Sequence, residues 1–143
     1  MAQTNVLVVE DESIVSKDIQ HSLKKLGYNV VGAANTGENA VKLAAEYMPD
    51  IILMDIMLKG EMNGIEAAEA IRKETNIPVI FLTAYADENT SARAKVTQPY
   101  GYIIKPFKEI DIHTSIEMAL YKHKKEAEVL KERDLLYSLV ENK

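Results

Sequence analysis

Short apolar runs alternate with segments of helical periodicity along most of this chain. The runs are rich in Val, Ile and Leu and nearly continuous, which is typical of strands buried on both faces of a parallel sheet. Between them, apolar residues recur three or four positions apart and often stop at glycine or proline, which predicts helices. Five strands are predicted, at residues 6–9, 28–34, 51–54, 79–82 and 102–104.

The order of these elements is strand then helix, repeated five times. Parallel strands joined by single helices imply right-handed crossovers, which place helices on both faces of the sheet. We therefore predict an α/β fold with a doubly wound, five-stranded parallel sheet. The fourth predicted helix, between Asp87 and Thr97, has the weakest pattern, and the fifth begins near Lys108.

Four of the predicted strands end in polar side chains. These are Glu10, Asp11 and Glu12 after the first strand, Asp55 after the third, Thr83 after the fourth and Lys105 after the fifth. In an open parallel sheet, ligands bind outside the edge that the carboxyl ends of the strands share. The sequence therefore predicts a crevice that holds carboxylates, one hydroxyl and one ammonium group.

The acidic members of this set suit a divalent cation. Two carboxylates that face each other raise each other's pKa unless a cation relieves their repulsion. Mg²⁺ takes oxygen ligands and is usually held by one or two carboxylates together with phosphate oxygens and water. Asp11 and Asp55 are candidate direct ligands, and Glu10 is a candidate direct or water-mediated one. A backbone carbonyl just after Asp55 is a further candidate, whereas Glu12 is more simply a surface acid.

Asp55 is also the candidate nucleophile, because carboxylates form aspartyl phosphates. Phosphoryl transfer needs in-line positioning and neutralisation of the charge on the equatorial oxygens. Lys105 is a candidate point charge for that purpose, and the Thr83 hydroxyl is a candidate donor to the phosphoryl group. Both also have ordinary interpretations, a solvated lysine at a strand end and a β-branched strand residue.

Composition narrows the function classes. The chain has 143 residues and a net charge of −5, which argues against direct nucleic-acid binding through a basic face. It has no cysteine, which excludes disulfides and thiolate chemistry. No apolar stretch approaches the roughly 20 residues that span a bilayer, and the start lacks the features of a secretory signal. We expect a cytoplasmic protein that does not contact membranes.

Residue by residue, this constellation resembles the receiver domain of two-component response regulators, over about residues 5–122. Each motif is weak evidence alone, but their shared order and spacing make the pattern specific. The matching stretches are Val6–Glu12, Ile52–Leu58, Asn63–Glu66, Val79–Ala84 and Gly101–Phe107. The resemblance implies a flavodoxin-like sheet of strand order 2-1-3-4-5, with helices on both faces.

The resemblance also implies the chemistry of the crevice. Asp55 would be the phosphoacceptor, taking its phosphoryl group from a histidine kinase or a phosphotransfer protein. Asp11, Asp55 and the backbone carbonyl of Met57 would hold Mg²⁺, with Glu10 helping, often through a water.

A second set of residues would report the phosphoryl group. Lys105, on a cis bond to Pro106, would pair with it, and Thr83 would move to donate a hydrogen bond to it. Tyr102 would then rotate inward. The surface of the fourth helix, fifth strand and fifth helix would change its affinity for a protein partner, for a second copy of the chain or for a domain missing from it.

The chain departs from the commonest receiver pattern at several positions. Lys59 stands where many members have proline, and the loop through Gly60 is one residue longer. Gln98–Tyr100 replaces the usual small residues before the last strand, which should stiffen that link. Met57 and Tyr85 are bulky, and we predict that they hinder attacking water and slow the loss of the phosphoryl group.

The last helix continues past the end of a minimal receiver. No glycine or proline occurs from Lys108 to about Val140. We predict a receiver domain over residues 1–122 and a helix extension over residues 123–143. The last helix has a partial heptad, carried by Ile116, His123, Leu130 and Tyr137. A solvated tail, a dimer-forming coiled coil and a linker to a further domain all stay open.

A phosphorylation-operated switch is the leading functional hypothesis, with self-phosphorylation and autodephosphorylation as its only chemistry. The alternative is an aspartyl-phosphate phosphatase or phosphotransferase enzyme. Such enzymes usually place a second acid two residues after the nucleophile, where this chain has Met57. A receiver that no longer accepts phosphate is unlikely because all the needed residues are present. A nucleotide-binding fold is disfavoured because no glycine-rich phosphate-binding motif occurs.

Overall fold

A computed structural model of the chain describes residues 3–84 and 99–141 and confirms the predicted fold class. Five parallel strands form one sheet in the order β2–β1–β3–β4–β5. The strands are β1 (Asn5–Val9), β2 (Asn29–Ala34), β3 (Ile51–Asp55), β4 (Val79–Thr83) and β5 (Gly101–Ile104). The helices are α1 (Ser13–Lys25), α2 (Gly37–Tyr47), α3 (Gly64–Glu74) and the C-terminal helix (Glu109–Glu141). The helix predicted between Asp87 and Thr97 lies outside the described residues.

The apolar runs form the centre of a three-layer structure. Alternate residues of a strand point to opposite faces of the sheet. In β1, Leu7 and Val9 pack in the core beneath α2 and α3, while Val6 and Val8 pack in the core beneath α1 and the C-terminal helix. All four side chains are fully buried. The continuous apolar runs are therefore explained by helices that cover both faces.

Local capping fixes the start of the helix that follows the Asp55 strand. Asn63 accepts a hydrogen bond from the Glu66 backbone N–H (2.9 Å), and the Glu66 carboxylate accepts one from the Asn63 N–H (3.1 Å). This reciprocal pair satisfies two backbone donors that the first helical turn leaves free. It begins α3 at Gly64, and so fixes the end of the loop that leads from Asp55.

The C-terminal helix is much longer than the sheet requires. It has 33 residues, or about 50 Å at 1.5 Å per residue. Only its first part is packed in the core, through Ile112, Ile116 and Ala119. Leu130 and Tyr137, which belong to the predicted partial heptad, are 46% and 63% exposed. Among the described residues, no helix has the length and apolarity that crossing a membrane requires.

Candidate functional site

Three carboxylates meet at the carboxyl edge of the sheet. Glu10 and Asp11 directly follow β1, and Asp55 is the last residue of β3, the strand beside it. One oxygen from each lies within 4.8 Å of the others. Glu10 and Asp55 are buried, at 2% and 5% exposure, whereas Asp11 is half-buried. The structure therefore brings together the three carboxylates that the sequence predicts at this edge of the sheet.

Lys105 reaches into this cluster from the end of β5. Its Nζ lies 3.1 Å from Asp55 Oδ2 and 3.2 Å from Glu10 Oε2. The lysine is 95 residues from Glu10 in sequence and 50 from Asp55, so only the folded sheet brings the three groups together. The Lys105–Pro106 peptide bond is cis, as the resemblance implies.

Burial and mutual charge shift the acid–base properties of this group. Burial raises the pKa of Glu10 to about 8, and the adjacent Asp55 adds to the rise, while the Lys105 ammonium opposes it. Burial lowers the pKa of Lys105, but its attraction to Asp55 and Glu10 outweighs this, so the net pKa is raised. The lysine therefore stays charged, and an ionised Glu10 is disfavoured unless more positive charge is close by.

The donor set fits a hard divalent cation. With all groups ionised, three carboxylates and one ammonium give the site a charge of −2. Mg²⁺ favours oxygen ligands and keeps several waters, and the half-buried Asp11 leaves one side of the cluster open to them. A divalent cation would neutralise the site, and Glu10, Asp11 and Asp55 are the side chains that would hold it.

The Asp55 carboxylate is positioned by the backbone that follows it. The Met57 N–H donates to Asp55 Oδ1 (3.0 Å), and the Ile56 N–H donates to the Leu82 carbonyl of β4 (3.1 Å). Gly64 approaches so closely that a Cβ there would lie 2.0 Å from the Asp55 carbonyl oxygen. This contact leaves no space for a side chain and clamps the end of β3 against the start of α3.

The loop between Asp55 and α3 also holds Asp11. The Lys59 backbone N–H donates to Asp11 Oδ2 at 3.2 Å. Gly60, the next residue, has a φ of +100°, in the region that favours glycine. The departure from the usual receiver pattern at residues 59 and 60 thus places a backbone donor on a candidate metal ligand.

The two predicted switch residues lie on neighbouring strands. Thr83 is the last residue of β4 and is buried, and its backbone carbonyl accepts a hydrogen bond from the Lys105 N–H (2.8 Å). Tyr102 of β5 is 38% exposed, and its ring centroid lies 6.1 Å from that of Phe81 on β4. Their roles as switches stay predictions.

Not every residue singled out from the sequence joins the crevice. Glu12 is exposed and lies outside the carboxylate cluster, as expected of a surface acid. The Met57 side chain is 69% exposed, and Tyr85 lies outside the described residues. Sequence analysis missed the close approach of Gly64 and the Lys59 donor. The Asn63–Gly64 pair was a usable signal for the first, whereas a backbone donor leaves no signal in a sequence.

The structure combines a five-stranded parallel sheet with a buried aspartate, two further carboxylates and a lysine at its carboxyl edge. The chain belongs to the response regulator receiver domain family, whose model matches residues 6–117. Domains of this family are in general non-enzymatic signalling domains of two-component systems. They bind Mg²⁺ at an acidic pocket and interact with histidine kinases or phosphotransfer proteins.

Two curated relatives are similar to this chain over about four fifths of its length. The transcriptional regulatory protein PdtaR of Mycobacterium tuberculosis is 35% identical over 115 residues, which cover 80% of this chain and 56% of PdtaR. The phyllosphere-induced regulator PhyR of Methylorubrum extorquens is 35% identical over 119 residues, which cover 82% of this chain and 44% of PhyR. The chain thus spans about half the length of these relatives.

Solved structures support the fold. The signal receiver domain of a modulated diguanylate cyclase from Desulfovibrio desulfuricans has a TM-score of 0.83 at 42% identity, covering 87% of this chain and 99% of that one. The receiver domain of the sensor histidine kinase PA1611 from Pseudomonas aeruginosa has a TM-score of 0.76 at 30% identity, covering 83% and 98%. That second structure contains a magnesium ion coordinated in the active-site cleft.

Proposed function

We propose that this chain is a phosphorylation-operated switch in which Asp55 accepts a phosphoryl group from a histidine kinase or phosphotransfer protein. The observation that carries the proposal is the grouping of Asp55 with two further carboxylates and Lys105, whose Nζ is 3.1 Å from the Asp55 carboxylate. An arrangement of this kind supplies a nucleophile, a cation site and a fixed positive charge within one crevice.

Each group has a defined part in the transfer. An Asp55 oxygen attacks the phosphorus in line with the bond to the donor, forming an acyl phosphate, and that bond's electrons leave with the donor atom. The Met57 N–H and Lys105 hold the carboxylate in place beforehand. Lys105 then pairs with an oxygen of the phosphoryl group. That group carries more negative charge than the carboxylate with which the lysine was paired before.

Magnesium is the proposed cofactor. Glu10, Asp11, Asp55 and the Met57 carbonyl would hold it. When bound, it supplies charge neutralisation to the phosphoryl oxygens. The magnesium ion in the cleft of the PA1611 receiver domain supports this proposal.

Thr83 and Tyr102 are the proposed readout residues. Thr83 would donate a hydrogen bond to the phosphoryl group, and Tyr102 would turn inward toward the sheet. Shifting such a two-state equilibrium from mostly inactive to mostly active needs roughly 5 kcal/mol, and two hydrogen bonds to a charged group at about 1.5–3 kcal/mol each supply it. The signal would pass through β5 and the C-terminal helix to a protein partner, a second copy or a further domain.

The competing enzyme hypothesis gains nothing from the site. A phosphatase or phosphotransferase of this type needs a general acid two residues after the nucleophile. Met57 stands there, with its side chain largely exposed. Steady turnover of a phosphomonoester by the purified protein would revive the enzyme hypothesis.

The direct test is incubation of the chain with acetyl phosphate and Mg²⁺, followed by intact-mass measurement. We expect a gain of one phosphoryl group that depends on Mg²⁺ and does not occur when a chelator is present from the start. Asp55→Asn should abolish the gain, whereas Asp134→Asn, an acid in the helix extension, should leave it unchanged. Labelling of the Asp55→Asn protein at the parent level would refute the assignment.

A further inference from the structure

The C-terminal helix stays in contact with the receiver body beyond its packed part. Ala119 is the last buried side chain in the helix as far as the structure describes it, yet His123 and Ala127 are still half-buried. Around them lies a group of polar and aromatic residues, here called the Tyr100 cluster. Its members are Asn76, Tyr100, Lys122, His123 and Glu126.

Two hydrogen bonds tie the helix to two different parts of the receiver. The His123 Nε2 lies 2.7 Å from the backbone carbonyl oxygen of Asn76, in the connection from α3 to β4. Because a carbonyl can only accept, the proton must sit on Nε2. The Tyr100 hydroxyl, just before β5, donates to the Glu126 carboxylate. Both bonds lie at the end of the sheet opposite the acidic crevice.

Tyr100 is the centre of the cluster. Its ring meets the His123 ring edge to face, with centroids 5.5 Å apart and an interplanar angle of 70°. The Lys122 ammonium lies 5.6 Å from the centroid of the Tyr100 ring. Burial raises the pKa of Tyr100 to about 12, and Glu126 adds to the rise, so the hydroxyl remains a donor at neutral pH. One side chain thus contacts residues that span just over one turn of the helix.

Tyr100 is also linked to the predicted switch residue. Its backbone N–H donates to the Val79 carbonyl (2.9 Å), which fixes it beside β4. Tyr102 comes two residues later, within β5. Both tyrosines line a cavity of about 520 Å³ between α3, β4, β5 and the C-terminal helix. A rotation of the Tyr102 ring would therefore alter the cavity that Tyr100 and the C-terminal helix also line.

We propose that the Tyr100 cluster is a joint that holds the C-terminal helix in one direction and passes a change at Tyr102 on to the helix extension. The holding role stands on the contacts alone. The transmission role rests on the proposed function, because phosphorylation of Asp55 is the event that would move Tyr102. Tyr100, which lies in a stretch where the chain departs from the usual receiver pattern, then has a positioning role.

The holding role is tested without any phosphodonor. Amide hydrogen exchange is compared in the full chain and in Tyr100→Phe, which removes only the hydroxyl. We expect about tenfold faster exchange over residues 122–130, with the exchange of β1 and β3 unchanged. Tyr121→Phe is the matched control, because Tyr121 is an exposed tyrosine in the same part of the helix. It should leave the exchange rates unchanged. Equal protection in Tyr100→Phe and the parent would overturn the holding role.

The transmission role is tested by measuring a distance. The chain has no cysteine, so spin labels at Glu69→Cys on α3 and Glu132→Cys on the helix extension report the helix direction without background. We expect Mg²⁺ and acetyl phosphate to shift the distance distribution of the parent. In Tyr100→Phe the distribution should be broad in both states and the shift lost, although mass measurement shows equal Asp55 labelling.

The outcomes separate the two proposals. A labelled parent whose distance does not respond overturns the transmission role and leaves the proposed function intact. A labelled Tyr100→Phe protein that shifts as the parent does also overturns the transmission role. A parent that takes no phosphoryl group overturns the proposed function and the transmission role with it, while the exchange comparison still decides the holding role.

Discussion

The acidic crevice and the helix extension both carry dense charge, but the protein holds that charge in opposite ways. In the crevice, Glu10 and Asp55 are buried and share one lysine at 3.1–3.2 Å. In the extension, the Lys125–Glu128 pair spans 3.6 Å with its side chains 56% and 48% exposed. Water screens the second kind of pair, which contributes about 0–1 kcal/mol.

The difference shows where this protein can respond to a signal. A buried group of like charges is sensitive to any added ion or phosphoryl group, because little water is present to screen the change. An exposed helix with solvated charges is not. The helix extension therefore responds only through the receiver body to which it is attached. Packing along the C-terminal helix shows the same contrast between a buried part and an exposed part.

The largest expected effect compares two apolar truncations on that one helix. Ile116 is fully buried and Leu136 is 63% exposed. Ile116→Ala should lower the free energy of unfolding by about 3 kcal/mol, because it leaves a cavity in the core. Leu136→Ala should change it by less than about 0.5 kcal/mol. Urea unfolding at one protein concentration measures both, and a large loss for Leu136→Ala would show that the extension is packed in solution.

A pH titration of stability sharpens the electrostatic part of the comparison. Because the folded-state pKa of Glu10 is raised to about 8 from 4.5, the folded protein binds more protons than the unfolded chain between these values. Without Mg²⁺, the free energy of unfolding should therefore fall as pH rises from 5 to 8, by roughly 3 kcal/mol. Urea unfolding at several pH values measures it.

Two controls belong to this titration. Glu10→Gln should flatten the pH dependence, whereas Glu128→Gln in the extension should leave it unchanged. Saturating Mg²⁺ should restore stability at pH 8, because the cation favours ionised carboxylates, and its affinity should weaken as pH falls. The same slope in Glu10→Gln as in the parent would assign the titration to another group.

The switch itself is tested by removing one hydroxyl. Thr83→Ala should still be labelled at Asp55, but it loses a hydrogen bond to the phosphoryl group worth about 1.5–3 kcal/mol. The population ratio of active to inactive protein should fall about ten- to hundredfold, measured by the phosphorylation-dependent change in amide exchange over β5. Ser138→Ala in the extension is the matched control. A full response in Thr83→Ala would mean that another group reports the phosphoryl group.

The smallest expected effect concerns access of water to the crevice. Met57 comes two residues after Asp55 in sequence and is 69% exposed. Met57→Ser should speed dephosphorylation by roughly threefold, or about 0.6 kcal/mol at the transition state, because a small polar side chain no longer hinders attacking water. Met118→Ser, an equally exposed methionine on the C-terminal helix, should not. The rate at which each protein loses its phosphoryl group, followed by mass measurement, tests this prediction.

Local signals in the sequence were enough for the strands and for the members of the crevice. Val6–Val9 and Ile51–Met54 are apolar at every position, and each is followed at once by an acid. Because parallel strands bring their carboxyl ends to one edge, strand order alone places Asp11 near Asp55. The helical character of residues 108–140 was equally visible, since nothing in that stretch interrupts a helix.

Contacts between distant segments were not visible in the same way. Nothing near His123 in sequence indicates that its ring will meet the Asn76 carbonyl, 47 residues away. The heptad pattern that includes His123 left a solvated tail, a coiled coil and a linker all open. The Lys59 donor to Asp11 is a backbone group, which every residue except proline carries, so its partner depends on loop geometry alone.

By itself, the sequence determined the fold class, the acidic edge and the length of the final helix, because each depends on residue type at short range or on strand order. Only the tertiary structure decided which carboxylates Lys105 pairs with, how tightly Gly64 closes on Asp55 and where the C-terminal helix leaves the receiver body. These features depend on differences of a few tenths of an ångström in the distances between segments that are far apart in the chain. Such differences follow from packing in three dimensions.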